Sequence, residues 1–223
     1  MDFEKARFNM IEQQIRPWNV LNQVALDLLS VIKRERFVPE ALQKLAFTDC
    51  ELPIKVNGKD TGEVMLAPKI QGKFLQEALA NHAQNVLEIG TGYGYLAALL
   101  AQHAQQVTTV EINPEIAENA SFNLKKEGIG RVKVVQGCAF EMAGRLGQFD
   151  TIVMSGSSPA LPTALIQSCL SPKGLFIGII GEEPVMQAVL ARKTAEGNIV
   201  TTPLFETLTK PLKNAPELNH FVF

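Results

Sequence analysis

The sequence has no long hydrophobic run, few cysteines and no excess of charge of either sign. Its apolar stretches all fall short of the roughly 20 residues that a membrane-spanning helix requires, and the charged start MDFEKAR is unlike a secretory signal. The 21 Lys and Arg residues nearly balance the 23 Asp and Glu residues, which disfavours a nucleic-acid binder that relies on bulk electrostatics. We therefore expect neither a membrane nor a nucleic acid as a partner.

Metal and disulfide chemistry are also disfavoured. The cysteines at 50, 138 and 169 are odd in number and lack the spacing of a disulfide framework or a zinc site. The three histidines are scattered and lack metal-ligand spacing. We interpret the thiols as reduced, and we predict a cytoplasmic protein without a metal ion.

What is present is a large apolar fraction. Of the 223 residues, 46% are hydrophobic, and a chain of this length buries most of its surface without a disulfide or metal to stabilise it. We predict one domain over residues 1–223, with an N-terminal helical cap over 1–68 and an α/β core over 69–223.

The first 54 residues predict helices, with a break at Pro17. Asn22 has the chemistry of an N-cap for a second helix, because its side-chain oxygen accepts from free backbone N–H groups. The apolar stripe of that helix is expected at Val24, Leu28 and Val31 or Ile32. Residues 48–68 are punctuated by Pro and Gly and predict irregular structure.

The rest of the chain alternates short apolar runs with helix-length segments. The strand-like runs lie at 86–89, 107–110, 132–135, 151–154 and 175–180. The helical segments lie at 95–103, 114–126, around Glu141 and at 161–170. This alternation is typical of βαβ units with a parallel sheet covered on both faces, and residues 189–194 and 199–205 predict a final antiparallel hairpin. The predicted fold is therefore a doubly wound, mostly parallel, seven-stranded α/β sheet of Rossmann-like type.

The most informative segment is EIGTGYG, residues 88–94, at the junction of a strand and a helix. Glycines permit this tight turn and let a ligand approach the backbone. The nicotinamide fingerprint GxGxxG does not fit, since Tyr95 occupies the place of its third glycine. Glu88 also brings negative charge near the ligand, which suits a cationic group better than a phosphate.

An acidic residue follows at the end of the next strand. Glu111 lies about 20 residues beyond the turn, where a carboxylate accepts hydrogen bonds from ribose hydroxyls. Glu88, the alternate glycines and Glu111 together fit a nucleoside that carries an amino acid, and we predict S-adenosyl-L-methionine as the cofactor. Glycine-rich turns occur in many α/β proteins, and a solvated strand end remains the alternative for Glu111.

At these residues the chain resembles the protein-L-isoaspartate O-methyltransferase family. Residues 86–95, VLEIGTGYGY, are similar to the family motif VLEIGTGSGY. The segment RFVP at 36–39 and the segments around 46–54, 147–153 and 171–174 extend the similarity. The resemblance implies a class I methyltransferase fold, S-adenosylmethionine as cofactor and a role in protein repair, in which the carboxyl group of isoaspartyl residues is methylated.

Two segments depart from the family pattern. Where the family has Thr-Ile-Ser-Gln-Pro, residues 64–68 read VMLAP, so that Val64 and Leu66 replace two hydroxyl side chains. Residues 136–139 read QGCA in place of a Gly-Asp-Gly-like turn, and the Cys138 thiol is a poor acceptor for the adenine amino group. The sequence thus resembles a divergent branch of the family.

These observations define the candidate site. The expected cofactor-binding residues are Glu88, Gly90, Thr91, Gly92, Tyr93, Gly94, Glu111, Ile112, Cys138 and Ala139. The expected acceptor-site residues are Met65, Leu66, Ala67, Pro68, Ser155 and Gly156. We assign no catalytic residue, because a carboxylate acceptor is already ionised at pH 7 and needs no general base.

The acceptor itself stays open at this point. The leading hypothesis is a protein or peptide that contains isoaspartate. The same fold acting on a small molecule or another protein is the alternative, motivated by Val64 and Leu66. A non-catalytic cofactor-binding module is a third hypothesis, and a nicotinamide dehydrogenase is a distant fourth. The sequence does not predict the oligomeric state.

Overall fold

The computed structural model describes residues 1–194 and 196–218. The helices are α1 (Phe3–Met10), α2 (Gln23–Val31), α3 (Pro68–Ala80), α4 (Tyr95–Leu100), α5 (Pro114–Lys126) and α6 (Thr163–Cys169). The strands are β1 (Leu52–Val56), β2 (Lys59–Met65), β3 (Asn85–Ile89), β4 (Gln106–Glu111), β5 (Val132–Gln136), β6 (Phe149–Ser158), β7 (Leu170–Glu182), β8 (Val185–Lys193) and β9 (Ile199–Glu206). Within this part of the chain, the structure has no helix that is long and apolar enough to cross a bilayer.

The main sheet has seven strands in the order β5-β4-β3-β6-β7-β8-β9. Strands β5, β4, β3, β6 and β7 run parallel, whereas β8 and β9 are antiparallel to their neighbours. This confirms the predicted mostly parallel sheet with an antiparallel end. The strand order reverses at β3, because the chain moves outward to β5 and then returns to β6. Ligands of doubly wound sheets bind in the crevice at such a reversal, outside the carboxyl ends of the strands.

The central strands are buried on both faces, which explains their continuous apolar character. In β3, Val86, Leu87 and Ile89 are all buried. One apolar cluster joins the N-terminal helices, α3, α4 and one face of the sheet. A second cluster packs the other face against α6. The proposed division into a cap over 1–68 and a core from 69 onward stays a prediction, and residues 219–223 lie outside the described part.

The N-terminal helices form as predicted, but α2 presents a different face to the core. Asn22 caps the helix, since its Oδ1 accepts from the backbone N–H of Ala25 at 3.2 Å. The expected core stripe is only partly correct: Leu28 and Ile32 are half-buried and pack against the core, but Val24 and Val31 are 51% and 67% exposed. The side chains that face the core are Ala25, Leu26 and Leu29. Because α2 is apolar around most of its circumference, periodicity alone does not select the buried face.

Residues 48–68 are more regular than expected. Strands β1 and β2 pair as an antiparallel hairpin, closed by Asn57 and Gly58, which both have positive φ. Asn-Gly is a strong sequence signal for such a two-residue turn. The sequence therefore did contain a signal for this hairpin, although we interpreted the Gly and Pro residues of the segment only as breaks in regular structure.

Two further elements differ from the sequence prediction. The helix expected around Glu141 is absent, and residues 139–145 form successive turns instead. Helix α3 was not predicted, although Pro68 occupies its first turn, a position where the missing N–H costs nothing. In contrast, α5 has the predicted bounds, with Asn113 as N-cap.

Gly94 determines how closely α5 packs on the turn after β3. Its φ is +85°, and an added Cβ would lie 3.2 Å from Leu124 Cγ and 3.5 Å from the Ala120 carbonyl oxygen. Gly128 also has a positive φ, of +72°, but an added Cβ there would meet nothing within 4 Å. An alanine at position 128 would therefore strain only the backbone, whereas an alanine at position 94 would strain the backbone and also crowd α5.

We expect Gly128→Ala to lower the free energy of unfolding by about 1 kcal/mol, the usual cost of a strained positive φ. Gly94→Ala should lower it by about 1–3 kcal/mol more, because the methyl group also overpacks the contact with α5. Urea denaturation of both variants measures the difference. Equal losses would show that the contact with Leu124 does not constrain this turn.

Candidate active site

A cleft opens at the carboxyl ends of β3, β4 and β6, where the strand order reverses. It encloses about 610 Å³, including its solvent-open mouth, which is within the size range of ligand sites. Its lining combines the glycine turn, the end of β4 and the segment after β5. The lining residues are Ile54, Glu63, Val64, Ile89, Gly90, Gly92, Val110, Glu111, Ile112, Asn113, Gly137, Cys138, Ala139, Phe140, Ser155, Leu212 and Lys213.

The glycine turn gives the cleft its floor. Gly90 and Gly92 have φ values of +88° and +53°. An added Cβ at Gly90 would lie 3.1 Å from Leu212 Cδ2, and one at Gly92 would lie 3.2 Å from Ile54 Cδ1. Side chains at these two positions would therefore crowd the cleft wall. Gly94, in contrast, is not among the residues that line the cleft.

Two other residues of the predicted motif use their hydroxyl groups within the protein. Thr91 Oγ1 lies 2.7 Å from Thr109 Oγ1 in the core. Tyr93 Oη donates to the Pro53 carbonyl at 3.0 Å and accepts from the Lys55 N–H at 2.7 Å. Tyr93 therefore attaches the hairpin β1–β2 to the turn, so these hydroxyls position the turn that bears them.

Glu111 is held at the end of β4 by backbone groups. Its Oε2 accepts from the Gly92 N–H at 3.2 Å and its Oε1 from the Asn113 N–H at 3.0 Å. Burial raises the pKa of this carboxyl, and the two N–H groups partly offset the rise. The carboxylate thus has a fixed orientation at the cleft, with lone pairs left to accept from a ligand.

The other expected cofactor residues lie beside Glu111. Ile112, Cys138 and Ala139 all line the cleft. Cys138 is buried and receives only a weak contact, with Asn214 Nδ2 at 3.8 Å from its sulfur. These three residues thus share one cavity, although 25 residues separate Ile112 from Cys138 along the chain.

A C-terminal strap, defined as residues 207–214, closes one side of the cleft and was not predicted. The Ser157 N–H donates to the Lys210 carbonyl at 3.1 Å, and the Leu212 N–H donates to the Ser157 carbonyl at 2.9 Å. Lys213 Nζ crosses to Glu63 Oε1 of β2 at 2.9 Å. Gly156 lies directly beneath, since an added Cβ there would lie 2.7 Å from Leu212 Cδ2. The strap has no apolar periodicity that could have indicated it.

An inner chamber adjoins the cleft and shares Val64, Gly90, Gly92 and Ser155 with it. The other residues that line the chamber are Met65, Leu66, Gln71, Glu88, Thr91, Tyr93, Tyr95 and Leu96. Of the residues expected at the acceptor site, Met65, Leu66 and Ser155 thus line one chamber. Ala67 and Pro68 are outside this lining and begin α3.

Glu88 is the buried carboxyl of the chamber, with 1% of its surface exposed. Its Oε2 accepts from Thr109 Oγ1 at 2.7 Å, and its Oε1 accepts from Ser155 Oγ at 3.1 Å. Burial raises the pKa of Glu88 to about 8, and these two hydroxyl groups oppose the shift. The carboxyl is therefore mainly protonated at pH 7 when no cation is near it.

The raised pKa of Glu88 links stability to pH. Between about pH 5 and 8 the folded protein holds a proton that the unfolded chain has released, so the contribution of this group to stability falls as pH rises. We expect the free energy of unfolding of the wild type to fall with pH, relative to Glu88→Gln, across this window. Urea denaturation at several pH values measures it. A difference between the two proteins that does not change with pH would contradict the prediction.

Comparison with known proteins agrees with this geometry. The family model for protein-L-isoaspartate(D-aspartate) O-methyltransferase (PCMT) matches residues 5–215. A protein-L-isoaspartate O-methyltransferase of Methanoculleus marisnigri is 33% identical over 208 residues, which cover 93% of this chain and 91% of the relative. One from Gloeobacter violaceus is 32% identical over 211 residues, covering 95% of this chain and 100% of the relative.

The fold agrees as well. The crystal structure of a Plasmodium falciparum protein assigned as a protein-L-isoaspartate O-methyltransferase, in complex with S-adenosyl-L-homocysteine, superposes with a TM-score of 0.78 at 18% identity. The match covers 96% of this chain and 99% of that one. Together with the match of the family model over nearly the whole chain, these similarities lead to one conclusion: the chain belongs to the protein-L-isoaspartate O-methyltransferase family.

Proposed function

We propose that this protein is an S-adenosylmethionine-dependent O-methyltransferase that methylates the carboxyl group of L-isoaspartyl residues in proteins. The observation that carries the proposal is the position of Glu111 and the glycine turn in one cleft, which adjoins a second chamber and shares four lining residues with it. Family membership supports isoaspartyl residues as the acceptor, since the relatives are named protein-L-isoaspartate O-methyltransferases.

The residues of the cleft fit S-adenosylmethionine. The Glu111 carboxylate is oriented to accept from the ribose hydroxyls, and Ile112, Cys138 and Ala139 are placed to surround the adenine. Gly90 and Gly92 leave room that a Cβ would fill. The Glu88 carboxyl lines the adjoining chamber, next to Gly90, and would pair there with the cationic amino acid end, because a nearby positive charge favours its ionised form. We propose these residues as the cofactor site.

When bound, the cofactor would supply an electrophilic methyl group on a sulfonium; its in-line transfer to a carboxylate oxygen of the acceptor would break the methyl–sulfur bond and leave a neutral thioether. The contribution of this chain is to position the reactants, an effect worth up to about 7–11 kcal/mol for well-aligned reactants. The inner chamber shares Gly90 and Ser155 with the cleft, so an acceptor there would lie next to the cofactor site. The apolar walls exclude water from the carboxylate.

A second candidate function follows from the chamber wall. Val64 and Leu66, which line the chamber, replace the two hydroxyl side chains of the family motif. This observation favours a related enzyme of the same fold that methylates a different acceptor, either a small molecule or another protein. A location in the cytoplasm also stays our proposal, and it is supported by three cysteines that form no disulfide.

Glu111→Gln keeps the size of the side chain but removes a charged acceptor of hydrogen bonds. We expect the dissociation constant for S-adenosylmethionine to rise about tenfold or more, since hydrogen bonds to charged groups are worth about 1.5–3 kcal/mol. Isothermal titration calorimetry measures it. Glu118→Gln is the matched control, because Glu118 is exposed on α5. Wild-type affinity in Glu111→Gln would contradict the assignment of the cleft.

The acceptor is tested by transfer of labelled methyl from S-adenosylmethionine to an isoaspartyl peptide, with the matched aspartyl peptide as control. We expect selective labelling of the isoaspartyl peptide, as a base-labile ester. Cofactor binding without labelling of either peptide would reject this acceptor and favour the second candidate function.

A further inference from the structure

The lining of the inner chamber includes two donor groups, the Tyr95 hydroxyl and the Gln71 side-chain N–H group, that have no hydrogen-bond partner in residues 1–194 and 196–218. Gln71 of α3 and Tyr95 of α4 both line the chamber, and both are buried. Gln71 was not singled out in the sequence, and Tyr95 was noted only as the residue in place of a third glycine. A ligand in the chamber could accept hydrogen bonds from the Tyr95 hydroxyl and the Gln71 amide.

The Tyr95 hydroxyl is the first of these groups. The residue is 1% exposed, and its Oη has no hydrogen-bond partner within residues 1–194 and 196–218. Its ring packs edge-on against Phe37, with the centroids 5.4 Å apart. Leaving a buried hydroxyl unpaired is energetically unfavourable. A group of this kind in a cavity wall is typical of a position where a ligand or water supplies the partner.

Behind this wall lies a buried guanidinium without a counter-ion. Arg34 is fully buried, and Nε and Nη2 donate to the carbonyls of Ala46 at 3.0 Å and Leu66 at 2.9 Å. Its Nη1 donates to Gln71 Oε1. No carboxylate pairs with Arg34 in the described residues, and its charge is therefore balanced only by dipoles. A buried charge of this kind is costly unless it is paired.

The arrangement fixes the direction of the donors. Because Gln71 Oε1 accepts from Arg34, its Nε2 is the group left to donate, and the described chain supplies no partner for it. The Arg34 guanidinium lies over the Tyr95 ring, 5.5 Å from the centroid. Both free donors therefore belong to side chains in direct contact with one buried positive charge.

The other charged groups described near the chamber do not neutralise the charge of Arg34. Arg7 pairs with Glu35, so that these two charges balance each other. Glu88 lines the same chamber, but its pKa of about 8 keeps it mainly neutral at pH 7 in the absence of a cation. The chamber thus offers free donors beside one unpaired guanidinium, and when Glu88 is ionised by a bound cofactor, the cationic end of that cofactor balances its charge.

We propose that Arg34, Gln71 and Tyr95 form a carboxylate subsite in the inner chamber. Tyr95 Oη and Gln71 Nε2 donate to the acceptor carboxylate, and Arg34 is a positioning residue that supplies the counter-charge from behind. The subsite takes over the recognition that hydroxyls at 64 and 66 would provide. It rests on the proposed function for the identity of the acceptor, but it predicts carboxylate binding by itself.

Two variants test the subsite without opening a cavity. Tyr95→Phe removes only the unpaired hydroxyl, and Gln71→Glu keeps the side-chain size while it neutralises Arg34. We expect KM for an isoaspartyl peptide to rise several-fold in Tyr95→Phe and about tenfold or more in Gln71→Glu. The kcat and the cofactor dissociation constant should change less than about twofold, and the thermal midpoint should not fall. Gln105→Glu is the control, since it adds the same charge at an exposed position.

A second measurement separates the subsite from the proposed function. Acetate, with chloride at equal ionic strength as reference, should raise the thermal midpoint of the wild type and of Gln105→Glu. It should have little effect on Tyr95→Phe and Gln71→Glu. If this holds although no peptide is methylated, the proposed function fails and the subsite stands. If acetate stabilises all four proteins equally, or if both chamber variants keep the wild-type KM, the subsite is rejected.

Discussion

One buried carboxyl joins the three strands on which the whole site depends. Glu88 belongs to β3, and it accepts hydrogen bonds from Thr109 of β4 and Ser155 of β6. These strands flank the reversal in strand order, so the same contacts that satisfy the carboxyl also fix the spacing of the cleft. Since an unpaired buried carboxyl is expensive, the hydroxyls at 109 and 155 are as much a requirement of the fold as of the site.

The proposed cofactor and acceptor sides of the site have different origins. The cofactor side is formed by consecutive βα junctions, and its geometry depends on backbone N–H groups and glycines at 90 and 92. The acceptor side combines the start of α4, which directly follows the glycine turn, with β2 and α3, which reach it through tertiary packing. Of the two replaced family hydroxyls, Leu66 lines only the chamber and Val64 lines both the chamber and the cleft. A change of side chains there leaves the Glu111 contacts with Gly92 and Asn113 intact.

This difference explains how far the sequence could predict the site. Glu88, Gly90 and Glu111 could be expected close together because parallel strands bring their carboxyl ends to one edge of the sheet, and the structure places them in the lining of the cleft and the chamber. Tyr95 and Gln71 were missed because their role depends on Arg34, which is 37 residues from Gln71 along the chain. For the fold, local signals such as the Asn22 cap were sufficient to predict where a helix begins. The buried face of α2 was not predictable, because an apolar helix is oriented by its neighbours.

The strap has a consequence for the order in which the molecule is completed. It joins the two ends of the chain, since Thr209 donates to Glu51 across 158 residues and Lys213 pairs with Glu63 of the N-terminal hairpin. Contacts of such long sequence separation form late, because closing the intervening chain is entropically unfavourable. During synthesis the wall that bears Leu212 is still inside the ribosome when the glycine turn has already emerged. The nascent chain therefore has no finished pocket for a nucleoside until residues 207–214 have left the ribosome and packed against β6 and the hairpin β1–β2.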